Sequence, residues 1–188
     1  MSLACWRRAE ASSQPPGLSS AGRLVILALA PLLLDASFSV VDLTRSAERI
    51  FRGRCLGAVP VTVDFKGRPL VATAYRFEVS EYLKGSGPRA LTFRQVGTPD
   101  RAVTDLGRIA GLTVFAPGNE YVVFLRPESG IGLTSAAGRG RGVLLVSGET
   151  VQVVDVDGRT PAPEADRIAY AALRLAVQQV LKRPPGRR

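Results

Sequence analysis

Between residues 70 and 82, apolar or β-favouring side chains fall at every second position: Val71, Thr73, Tyr75, Phe77 and Val79. Arg76, Glu78 and Ser80 take the positions between. A period of two puts the first set on one face of a pleated strand and the second on the other, so the segment is read as a strand with one face in a core. It ends at Lys84-Gly85-Ser86-Gly87-Pro88, a turn composition. Similar segments recur along the chain. Residues 50–59 alternate imperfectly, with glycines that mark a bulge or a tight bend. Residues 61–65 lead into Lys66-Gly67-Arg68-Pro69, a hairpin turn, and 90–96, 109–115, 131–136, 142–146 and 151–156 are further strands. The unbroken run 121–125 reads as a strand buried on both faces. Seven or eight short strands at a spacing of roughly 8 to 15 residues predict a barrel or sandwich.

Helical signals flank this β region. Asp42 or Thr44 caps a short helix over 45–50. Pro163-Glu164-Ala165-Asp166 starts a second helix, in which Ile168, Ala172, Leu175, Ala176, Gln179 and Val180 recur at helical spacing; Ala169, Leu173, Val177 and Leu181 widen the stripe. Lys182 and Arg183 suit its carboxyl end, and Pro184-Pro185 stops it. This helix is expected over one opening of the barrel, or alternatively against a partner or a membrane surface.

Residues 24–34 form the one strongly apolar run, preceded by Arg23. Eleven residues fall short of the roughly 20 that span a bilayer and suit the core of a secretory signal. Ser37 and Ser39 supply small side chains for a cut before Val40. The expected organisation is a signal peptide with a long leader over 1–39, a β-barrel domain over 40–160, a helix over 161–183 and a basic tail over 184–188. That places the protein in the periplasm or outside the cell, with an uncleaved membrane anchor at 24–41 as the alternative.

Residue content narrows the chemistry. The absence of histidine removes histidine bases, serine-histidine and cysteine-histidine nucleophile pairs, and zinc sites built on imidazole. Two cysteines, Cys5 and Cys55, cannot make a four-cysteine zinc site or a multi-bridge scaffold. Cys55 is expected as a free thiol, a small buried residue on a strand. The net charge is +9, and only Lys66, Lys84 and Lys182 among the basic residues are not arginine. Arg139 and Arg141, in Gly138-Arg139-Gly140-Arg141-Gly142, are candidate anion-binding residues, because glycines let backbone amides converge on a phosphate or sulfate. The alternative is a glycine-permitted bend into the strand that follows. Asp155 and Asp157 read as hairpin residues beside Gly158, and Asp100 and Asp105 flank a polar loop without EF-hand spacing. No catalytic, cofactor-binding or metal-binding residue is assigned, and no cofactor is expected. Nucleic acid is not an expected partner, since the core claims Tyr75, Phe77, Tyr82, Phe93, Tyr121 and Phe124.

The segment order carries a resemblance. Residues 46–54 end a first strand near Gly53-Arg54; an F-x-V-x-x-x-x-K-G strand follows from Phe77 to Gly85, then a G-x-x-Y-V-x-F-L strand from Gly118 to Leu125, then a glycine turn at 140–142. Over about residues 44–147 the chain resembles exported bacterial proteins that look like the tissue-inhibitor-of-metalloproteinases and netrin-type OB barrels. The resemblance implies a mainly β, small OB-like barrel with a carboxy-terminal α-helix. The animal inhibitors act through an amino-terminal cysteine that chelates the protease zinc. The expected terminus at Val40 offers none, so no functional residue carries over. The expected function is an exported, non-catalytic binding module of the bacterial cell envelope with an envelope or extracellular protein partner, touching the membrane only through its signal peptide or an uncleaved anchor. The alternatives are a protease inhibitor of different mechanism, using an edge or loop such as 97–108, and an envelope hydrolase or metal-dependent enzyme.

Overall fold

The computed structural model describes residues 39–98, 112–155, 157–159, 161–162 and 166–183. Ser39 begins the first element: its hydroxyl accepts from the Asp42 N–H at 3.2 Å and caps α1, Val40–Ser46. The helix therefore starts earlier than expected, and Asp42 lies in its first turn, where a carboxylate favours the helix amino end. By Arg49 the chain is already strand.

Two 17-residue strands form the centre, β1 (Arg49–Phe65) and β2 (Arg68–Lys84). The strands expected at 50–59 and 61–65 are one. Register shifts at Ile50/Phe51, Arg52/Gly53 and Cys55/Gly57 absorb the irregular alternation as bulges. The expected turn joins β1 to β2 through Lys66 (φ 57°) and Gly67 (φ 75°), two successive left-handed residues whose twist matches the paired strands. Then come β3 (Ala90–Val96), β4 (Glu120–Leu125), β5 (Val143–Ser147), β6 (Thr150–Val153), β7 (Ile168–Ala169) and α2 (Tyr170–Lys182).

The strands make one antiparallel sheet in the order β3-β2-β1-β4-β5-β6-β7. Among the described residues β3 and β7 are its edges, so the ladder is open where a closed barrel was expected. Other expectations are corrected too. Residues 131–136 turn instead of running as a strand, touching β4 only through the Leu125–Ala136 bridge. Of 109–115, residues 109–111 lie outside the described set and 112–115 are unpaired; Gln95 Nε2 donates to Thr113 O, and Phe115 is spent as a core plug. The last helix begins at Tyr170, because Ile168 and Ala169 pair with Val151 and Thr150. The sheet thus continues past residue 160.

Away from the tip of the β1–β2 hairpin, both faces of the sheet carry core residues. On one, Ile50, Leu83, Val122, Phe124 and Leu144 pack under α1 and α2. On the other, Phe51, Tyr75, Phe77, Phe93, Phe115 and Tyr121 form an aromatic cluster, with Phe77 stacked on Phe93 at 5.6 Å and Tyr75 edge-on to Phe115 at 4.9 Å. β4 is buried on both faces, as its unbroken apolar run predicts, and the core takes the expected aromatics, with Tyr82 half-buried. The apolar stripe of α2 is narrower than its spacing suggested: Tyr170, Leu173 and Val177 are buried, whereas Leu175 and Leu181 are exposed. Among the described residues no helix is long and apolar enough to cross a membrane.

Candidate interaction surface

β1 pairs with β4 over Arg49–Arg54, and two further backbone bonds, from Cys55 N–H to Asn119 O and from Gly118 N–H to Cys55 O, end that contact. From Leu56 onward its outer edge has no strand beside it among the described residues. β3 ends opposite Ala72, so the tip of the β1–β2 hairpin projects as a two-stranded ribbon. Directly opposed residues in an antiparallel pair share a face. Val59 opposes Ala74, Val61 opposes Ala72, Val63 opposes Leu70 and Phe65 opposes Arg68. This outer face is the one on which α1 and α2 lie nearer the base; beyond them Ala72 is buried, and Val61 and Val63 are half-buried. Toward the base it is polar, with Arg54 opposite Glu78. Toward the tip it is apolar, and Val59 (60% exposed) and Phe65 (45%) stand in solvent.

Arg68, Arg76 and Arg94 share that apolar face by register, all three exposed, and Lys66 sits in the turn with its ammonium 5.6 Å from the Phe65 ring centroid. The ribbon's one carboxylate, Asp64, has the opposite parity and accepts from the Gly67 N–H at 3.3 Å, closing the turn. Both edges of the ribbon carry proline. Gly97 N–H donates to Val71 O, so odd-numbered β2 residues aim their backbone groups toward β3. Pro60, opposite Thr73, and Pro69 accordingly turn their nitrogens to the two outer edges, where a donor would otherwise recruit another strand.

The polar groups nearer the base are engaged with one another. Arg52 meets Glu120 in a fork, Nε to Oε1 at 2.9 Å and Nη2 to Oε2 at 3.2 Å, and its guanidinium lies 4.6 Å from the Tyr170 ring centroid. The bond to Glu120 raises the Arg52 pKa. Tyr170 donates to Glu81 Oε2 at 2.6 Å, and Arg174 Nε meets Glu81 Oε1 at 3.0 Å. Burial, then the bond to Glu81, pushes the Tyr170 phenol well above its ordinary range. This chain of contacts ties α2 to β1, β2 and β4. Lys84 donates to the carbonyls of Thr44 (2.7 Å) and Ala47, so the lysine of the K-G motif closes the carboxyl end of α1. No spacing rule reaches these partners; Glu81 and Tyr170 stand 89 positions apart.

The residues singled out in the sequence are not brought together. Arg139 holds a left-handed backbone at φ 53° and is exposed, and Arg141 is half-buried. The amides of Arg141, Gly142 and Val143 point to the carbonyls of Gly138, Ala137 and Gly140. Gly142 is required by close approach, since a Cβ there would stand 2.8 Å from Ala137 O. These contacts match a bend into β5, with those three amides directed inward. Cys55 is a free thiol, fully buried in the aromatic cluster, and burial raises its pKa. Asp157 accepts from the Arg159 N–H at 2.8 Å, as a turn residue does. Asp100 and Asp105 lie outside the described residues, as does most of loop 97–108. Among the described residues no group of three His, Cys, Asp or Glu side chains is placed to hold a metal.

Comparison with known protein families and with curated proteins found no match to this chain.

Proposed function

We infer that the protein is an exported, non-catalytic binding module of the bacterial cell envelope, and that the projecting β1–β2 ribbon is its contact surface. The observation that carries this reading is the apolar outer face of the ribbon, on which Val59 and Phe65 are exposed. A contiguous exposed apolar patch with a charged rim marks an interaction site more often than a neutral surface. The mutual engagement of Arg52, Glu120, Glu81, Tyr170 and Arg174 supports a bracing role for those side chains instead of acid-base work. The apolar run 24–34 supports export, and the matching strand segments support an OB-like relationship to the tissue-inhibitor and netrin-type barrels.

Photo-crosslinking in a bacterial host tests both parts. A benzophenone side chain at position 59 or 65 is expected to give adducts in the envelope fraction, and the same group at position 178 on α2 to give none. A chain confined to the cytoplasm would overturn export, and equal adducts from all three positions would overturn the ribbon as contact surface.

A further inference from the structure

We propose that the ribbon docks on an anionic phospholipid surface, beyond any transient contact made by a signal peptide. This rests on the reading of the ribbon as the contact surface and names its partner. Three observations converge. Prolines 60 and 69 blunt both ribbon edges, which disfavours adding a partner's strand and leaves the faces as the usable surface. Apolar side chains stand exposed on both faces of the tip, Phe65 on one and Val71 (49% exposed) on the other. A protein partner seats on one face, whereas immersion in a bilayer interface surrounds the tip. Finally, the cations Lys66, Arg68 and Arg76 accompany these apolar residues, while Asp64 is turned into the hairpin. The Lys66 ammonium lies over the Phe65 ring, 5.6 Å from its centroid, so charge and apolar ring can meet the headgroup boundary together. Each lysine or arginine near an anionic leaflet contributes about 1 kcal/mol, a factor of about five in partitioning.

The test is co-sedimentation of the purified chain, as the host delivers it, with phosphatidylcholine vesicles with and without phosphatidylglycerol. Binding is expected only with the anionic lipid, and it should weaken as salt rises from about 0.1 to about 0.5 M. K66E/R68E and V59S/F65S are each expected to weaken it about tenfold or more. K182E/R183E, which makes the same charge change at the carboxyl end of α2, is expected to leave it within about twofold. Any amino-terminal segment is common to all variants, so differences among them report the ribbon. Unchanged binding by both ribbon variants, or equal loss in K182E/R183E, would overturn the proposal. Protein adducts from positions 59 and 65 with ribbon-independent vesicle binding would sink the lipid partner and leave the contact surface standing; absence of both would remove the two together.

Discussion

Lys66 holds a left-handed backbone, φ 57°, in which the side chain of an L-residue crowds its own carbonyl. Asparagine adopts this conformation more readily, so Lys66→Asn is expected to raise stability by about 0.5–1 kcal/mol, read as a higher urea midpoint. The same change should weaken vesicle binding, setting contact against stability at one position. Titration offers a second residue-scale prediction. Burial raises Tyr75 to about 12 from its ordinary 10, and it raises Tyr121 and Tyr170 as well. A folded pKa above the unfolded one means that folding favours the neutral phenol. Its contribution is whole below about pH 10 and is lost as the pH climbs through the folded values. With no histidine in the chain, the urea midpoint should vary little from about pH 6 to 9 and fall steeply from about pH 10 to 12, in step with tyrosinate absorbance. A pronounced midpoint change near pH 6.5 would contradict this. The Lys66-Gly67 turn and the buried aromatics were legible because each depends on local conformational preference or on hydrophobicity alone. The pairing of Arg52 with Glu120 was not, since it exists only once β1 and β4 lie side by side.

At the scale of elements, periodicity found the long central strands and the last helix, missed that 112–115 and 131–136 are not strands, and did not say what covers each face. Val59, Val61, Val63 and Phe65 alternate as a core strand does, yet the structure leaves Val59 and Phe65 exposed and Val61 and Val63 half-buried. Boundaries failed where a residue had two readings. Ser39 has the small side chain expected before a signal cut and also caps α1; Ile168 continues the helical stripe and also pairs with β6. The first ambiguity is testable. Ser39→Ala should cost about 1 kcal/mol in a chain that keeps the residue, through loss of the bond to the Asp42 amide. If the host cuts after Ser39 the substitution has no folded residue to affect, and mass spectrometry of the amino terminus tells the cases apart.

Across the whole molecule, the mainly β class and the carboxy-terminal helix follow from the spacing of turn residues and a late change of period. Closure does not, because whether the sheet's two edges meet depends on twist and bulges summed over strands, as at Leu56 between Cys55 and Gly57. Several strands serve both packing regions, and β4 does so along its length: Val122 and Phe124 sit under the helices, while Tyr121, Val123 and Leu125 sit in the aromatic cluster. Far-ultraviolet ellipticity, near-ultraviolet ellipticity and labelling of the buried Cys55 thiol should therefore report a single denaturant midpoint. Separate midpoints for helical and aromatic signals would contradict this. A Val122→Ala cavity, made on the helical side, should shorten the lifetime of amide protons in the aromatic cluster as well. Neither region has a private exit from the native state: β4 works as a common keystone, and the slowest hydrogen to exchange in either region times the opening of both.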